Sequence, residues 1–139
     1  MKRKGFTLLE ILIAVVLIGL AVAGLVASSI SFTQANGFGT DFSTAEFLVQ
    51  QVRELTAMVD YSDLFNYDGQ SFNPPKGANN EALNDFPEFT QEITVENVAD
   101  SDFENVVADQ SSNFVRVTAR VLLNTEEICF SSWVRAKEQ

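Results

Sequence analysis

Lys2-Arg3-Lys4-Gly5-Phe6-Thr7-Leu8-Leu9-Glu10-Ile11-Leu12-Ile13 is the stretch whose reading decides the fold. Three adjacent cations meet a glycine, and an apolar run begins at once. The twenty residues from Ile11 to Ile30 carry no charge. At ~1.5 Å of rise per residue such a helix spans about 30 Å, the thickness of a bilayer's hydrocarbon core. Cations beside a membrane span stay on the cytoplasmic side, so the remainder of the chain is expected to be exported. Small residues recur along the run at Ala14, Gly19, Ala23 and Ala27, and they permit close helix–helix approach. One acid, Glu10, lies inside its first turns. An ionised carboxylate in lipid costs ~2.5–3.5 kcal/mol on insertion scales, so it needs a partner or a purpose.

A short basic leader ending in Gly5, then Phe6-Thr7-Leu8, a hydrophobic residue and Glu10, resembles the start of type IV prepilins and type II secretion pseudopilins over residues 2–26. The resemblance implies that a membrane prepilin peptidase cuts between Gly5 and Phe6. Phe6 is then the mature N-terminus and the site of N-methylation. It also implies that the Glu10 carboxylate meets the Phe6 amine of a neighbouring subunit in a filament. Burial of a lone amine or carboxylate is costly, and mutual neutralisation makes such burial tolerable. The partners implied are the prepilin peptidase, other pilin or pseudopilin subunits, a membrane assembly platform and, before assembly, the lipid bilayer. The resemblance implies an α+β fold, with a long N-terminal helix packed on a small antiparallel sheet of three to four strands.

One family feature is missing. Many major pilins carry a helix-kinking proline where this chain has Ala27, and the first proline is Pro74. Gly19 and Gly24 are then the only weak points of the apolar run. Two other readings of the N-terminus compete. A secretory signal peptide would be cut after Ala21-Val22-Ala23, and a plain membrane anchor would stay uncut; the alternative function is then a secreted or membrane-anchored acidic binding domain that does not polymerise. Neither explains Glu10. The mature N-terminus separates the three: Phe6, Gly24 or Met1.

Composition sets further bounds. At 139 residues the chain holds one anchor and one small domain. The net charge is −10, and loss of Lys2, Arg3 and Lys4 with a leader takes it further from zero. An exported domain this acidic is not expected to bind nucleic acid, whose phosphates call for cations. No histidine is present, which excludes His-dependent triads and His-ligated metals. Cys129 is the sole cysteine, so no intramolecular disulfide forms, and it reads as a small apolar strand residue, with a reactive or intermolecular thiol as the competing reading. No nucleophile–base pair and no phosphate-binding glycine loop stand out, so neither enzymatic activity nor a cofactor is expected.

The expected organisation is a leader at 1–5, an apolar membrane or filament-core helix at 6–30, an amphipathic second half at 31–60, a variable loop at 61–88 and a sheet region at 89–139. Gly37 and Gly39 predict softness or a brief break within 36–40. Phe42, Ala45, Leu48, Val49, Val52, Leu55 and Val59 recur at helical spacing and predict a buried stripe. Residues 61–88 are rich in Asn, Asp, Gly and Pro, with Leu64, Phe65, Tyr67, Phe72, Leu83, Phe86 and Phe89 to pin the segment down. A subunit-contact or display loop is expected there, against a disordered insertion.

Strands are predicted from Phe89, with Gln91, Ile93 and Val95 facing one way, and over Phe114–Leu123 and Ile128–Arg135. A weaker strand is predicted at Glu104–Ala108, a turn at 100–102 and a hairpin turn at 124–127. Arg116 and Arg120 are expected on the solvent face against acidic neighbours. Asp100, Asp102, Glu104 and Asp109 resemble a calcium cluster only loosely, because the twelve-residue loop order is absent. Asp100 and Asp102 are the candidates, with solvated turn acids as the competing reading. The helical stretch Thr44–Leu55 and the lone cysteine, which cannot close the C-terminal disulfide loop of many major pilins, resemble minor pilins and minor pseudopilins.

Overall fold

The computed structural model describes residues 7–108 and 111–137. Helix α1 runs from Leu8 to Met58, 51 residues, and is followed by a short 3₁₀ helix at Tyr61–Tyr67. Five strands complete the chain: β1 (Gln70–Phe72), β2 (Phe89–Ala99), β3 (Asp102–Val106), β4 (Phe114–Leu123) and β5 (Glu126–Ala136). The class is α+β, a long apolar N-terminal helix with an antiparallel sheet, as in pilins.

Two compact units divide the chain, 1–39 and 40–139. In the first, every described residue is helical from Leu8 onward and exposed. This helix is long and apolar enough to cross a membrane. Two of its hydroxyls are satisfied locally: Ser31 Oγ donates to the Ala27 carbonyl at 3.2 Å and Thr33 Oγ1 to the Ser29 carbonyl at 3.0 Å. Such back-bonding hides polar groups that lipid would leave unpaired. The helix passes through Gly37 and Gly39 without the break considered possible at 36–40. Each glycine costs about 1 kcal/mol of helix propensity, which the long ladders on either side outweigh.

In the second unit the last part of α1 covers one face of the sheet. Ala45, Leu48, Val49 and Val52 share one core with Phe89, Ile93 and Val95 of β2 and with Val115, Val117, Ala119 and Val121 of β4. Leu55 is also buried, whereas Phe42 at the start of the predicted stripe is 38% exposed. β2 and β4 alternate inward and outward over their pairing from Phe89↔Leu123 to Val98↔Phe114. Arg116 meets Glu96 at 2.8 Å and Arg120 meets Glu127 at 3.6 Å on the outer face. The hairpin between β4 and β5 needs only Asn124 and Thr125, both at positive φ, 49° and 81°. Two left-handed residues match the twist of the paired strands, so the turn is shorter than the four residues expected.

The sheet has five strands, where three to four were expected. The extra strand is β1, which lies inside the 61–88 loop and pairs with Gln91–Ile93. Gln70-Ser71-Phe72 is too short and too polar to show a strand pattern in sequence. β3 is the predicted weak strand displaced to Asp102–Val106, so the turn before it is Asp100-Ser101 alone. Leu64 and Phe89 are in the core, and Phe65, Tyr67, Phe72, Leu83 and Phe86 pack against it, as their spacing suggested. Gly77 is the tight point of this segment. A Cβ there would meet Asn79 Oδ1 at 3.1 Å and Leu83 Cδ2 at 3.3 Å.

Candidate functional site

The N-terminal stretch is built by a helix start. Thr7 is the residue before the first turn of α1, and its Oγ1 accepts from the Glu10 backbone N–H at 3.3 Å. The Thr7 carbonyl accepts from Glu10 N at 3.1 Å and Ile11 N at 3.2 Å. Thr7-Leu8-Leu9-Glu10 has the spacing of a capping box, a hydroxyl residue at the cap and a glutamate three residues on. Glu10 is therefore held in the first turn, where the helix dipole favours a negative charge. Its side chain is exposed, and among the described residues nothing pairs with its carboxylate. Gly5 and Phe6, the expected cleavage and methylation residues, lie outside the described residues.

Thr7 is part of the motif in sequence, but its role as the cap of α1 is one the sequence reading missed. Its signal was present in the spacing to Glu10, which had been read for its charge alone. The chemistry available at this end is an anion fixed at the start of an apolar helix, ready to meet a cation.

Asp100 and Asp102 fill other roles. Asp100 Oδ1 accepts from Ser112 Oγ at 2.5 Å, and Asp102 Oδ1 accepts from the Glu104 N–H at 3.0 Å. Asp102 thus closes its own turn by accepting a local donor, and Asp100 ties the turn before β3 to the segment before β4. Among the described residues no group of three or more His, Cys, Asp and Glu side chains converges as a metal site would require. Asp109 lies outside the described residues.

Cys129 is half-buried on the inner side of β5, in a groove with Ser43, Glu46, Phe47 and Gln50 of α1. Burial pushes its thiol above the ordinary value of 9.0, and the charges of Glu46 and Glu127 push the same way. A thiol held protonated is a poor nucleophile, which suits a packing role.

Comparison with known proteins locates the same end of the chain. No curated protein and no solved structure matches it. Residues 1–26 match the family described as the prokaryotic N-terminal methylation motif. The chain thus carries, at the head of its long apolar helix, the N-terminal methylation motif of type IV pilin-like precursors.

Proposed function

We propose that this protein is a subunit, and a minor one, of a type IV pilus or type II secretion pseudopilus. On this reading prepilin peptidase removes residues 1–5, Phe6 becomes the methylated N-terminus, and a membrane platform moves the chain from the bilayer into a filament. The observation that supports it is the motif at residues 1–26, with Glu10 capped into the first turn of an exposed apolar helix. A carboxylate so placed has a use if a neighbouring subunit brings its freed amine to it. The acidic domain of residues 40–139 then lies outside the cytoplasmic membrane, consistent with the cations at residues 2–4. The minor assignment rests on the lone cysteine and on the likeness of Thr44–Leu55 to small minor subunits.

The test is mass spectrometry of the mature protein. The expected product begins at Phe6 and carries one added methyl group. A product beginning at Gly24 or Met1 removes the filament reading. The role of the carboxylate has its own test. Glu10→Ala should leave cleavage largely intact and sharply reduce incorporation into filaments, and normal incorporation would show the carboxylate to be dispensable.

A further inference from the structure

The two edges of the sheet differ. On one side β1 and β3, of 3 and 5 residues, share the flank of β2. On the other side β5 ends the strand order, 11 residues long, and no described strand pairs with its far side. Sheets usually blunt such an edge with proline, lysine, bulges or short length, because its free N–H and C=O groups template pairing with another chain. β5 contains neither proline nor lysine. Its one register irregularity sits at the hairpin end, opposite Val121 and Leu122, which leaves residues 129–136 regular.

The outer face of this edge is apolar where solvent would call for polar groups. Phe130 is 62% exposed and Val134 38% exposed, with Ser132 between them. The three residues alternate onto one face, and the apolar pair is symmetric about the serine. Charge is arranged likewise. The strand opens on Glu126-Glu127, and Lys137 follows its close, while the Arg135 side chain is turned to the carbonyls at the end of α1. An antiparallel copy of the same strand lays the acidic end of one against the basic end of the other.

We propose that β5 is a self-complementary edge on which a second copy of this chain docks antiparallel, with Ser132 on the two-fold axis and Phe130 of each copy opposite Val134 of the other. The result is an isologous contact that continues the sheet across two molecules. Backbone hydrogen bonds supply affinity, and the Phe130–Val134 pairs set the register, since a slip by one residue would turn both to the wrong face. On the inner face the same register sets Trp133 against Ser131 of the second copy, a large side chain beside a small one. The inference does not depend on filament assembly.

The test uses full-length protein in native membranes and in detergent, in a Cys129→Ser background so that each introduced thiol is the only one. Residues opposite one another across an antiparallel pair stand about 4.5–5.5 Å apart at Cα, within disulfide range. Ser132→Cys is expected to give a disulfide-linked dimer on mild oxidation, and Ser101→Cys, on the turn before β3, is not. Adding Phe130→Lys and Val134→Lys should lower the Ser132→Cys crosslink about tenfold, equivalent to ~1.4 kcal/mol. The gentler pair Phe130→Ser and Val134→Ser should act in the same direction and keeps the test open if the lysines disturb folding. Absence of the dimer with Ser132→Cys overturns the proposal. So does an equal yield with Ser101→Cys, which would mark association through the apolar helix, and so does a crosslink indifferent to both substituted pairs.

Discussion

Gln91 is fully buried, yet every polar atom of its side chain is used. Its Nε2 donates to the Leu48 carbonyl at 2.9 Å and to Lys76 O at 3.1 Å, while its Oε1 accepts from Lys76 N at 2.7 Å. One amide thus ties helix, loop and sheet together within the second unit. Gln91→Ala strands two carbonyls and an N–H, and each buried orphan costs about 1–3 kcal/mol. The variant is expected to lose roughly 2–4 kcal/mol of stability, read as a fall in the urea midpoint. A change below about 0.5 kcal/mol, the size of an ordinary surface substitution, would show that water replaces the amide. In sequence Gln91 was legible as inward-facing by strand alternation, but its partners were not, because they lie 43 and 15 residues away.

Cys129 supports a second prediction at this scale. Its thiol is held above the ordinary value by burial first, then by Glu46 and Glu127. Alkylation at pH 8 should be slower than for an unstructured cysteine. Glu46→Gln should speed it by removing one of the opposing charges. Protonation is favoured in the folded chain, so this group's contribution to stability is complete below the ordinary thiol value and is lost as pH rises through the folded one. An alkylation rate equal to that of the unfolded chain would overturn the assignment.

The elements show where periodicity could be read and where it could not. β2 and β4 are legible because one face is buried along most of their length, which gives clear alternation from Phe89 to Glu96 and from Phe114 to Val121. β3 is exposed at all five residues, so no burial pattern marks it, and the sequence misplaced its start. The helical stripe was legible through Ala45–Leu55, and so was its end near residue 60, but not what satisfies that end. The last carbonyls of α1 are met by a side chain from the far end of the chain: Arg135 Nη1 donates to the Thr56 carbonyl and to Val59 O at 2.7 Å. No glycine or local cap signals that stop. Arg135→Met removes both donors and should fray the final turn. Amide exchange at residues 55–59 is expected to quicken and stability to drop by about 1–3 kcal/mol, the cost of unpaired carbonyls at a charged donor. Unchanged exchange there would mean that solvent caps the helix unaided.

At the scale of the whole molecule, the chain joins a helix with no tertiary cover to a helix segment that forms half of a core, and the division falls at Gly39 and Thr40. The signal for the first was strong in sequence, since twenty uncharged residues after three cations admit few readings. The signal at 36–40 was ambiguous, because glycine weakens a helix without ending it. An unbroken ladder can still be the least stable part of a helix: residues 7–40 are exposed throughout, whereas burial of the stripe begins at Ala45. Opening is therefore expected to concentrate around Gly37 and Gly39. An added Cβ at either position meets nothing within 4 Å, so Gly37→Ala and Gly39→Ala change propensity alone. Each should strengthen the helix by about 1 kcal/mol. Together they should slow amide exchange over residues 36–42 by roughly thirtyfold, read by hydrogen exchange on the detergent-solubilised full chain. Exchange that is already uniform from 30 to 56, and indifferent to both alanines, would show that the helix crosses the boundary as one rigid rod and that the two glycines confer no softness.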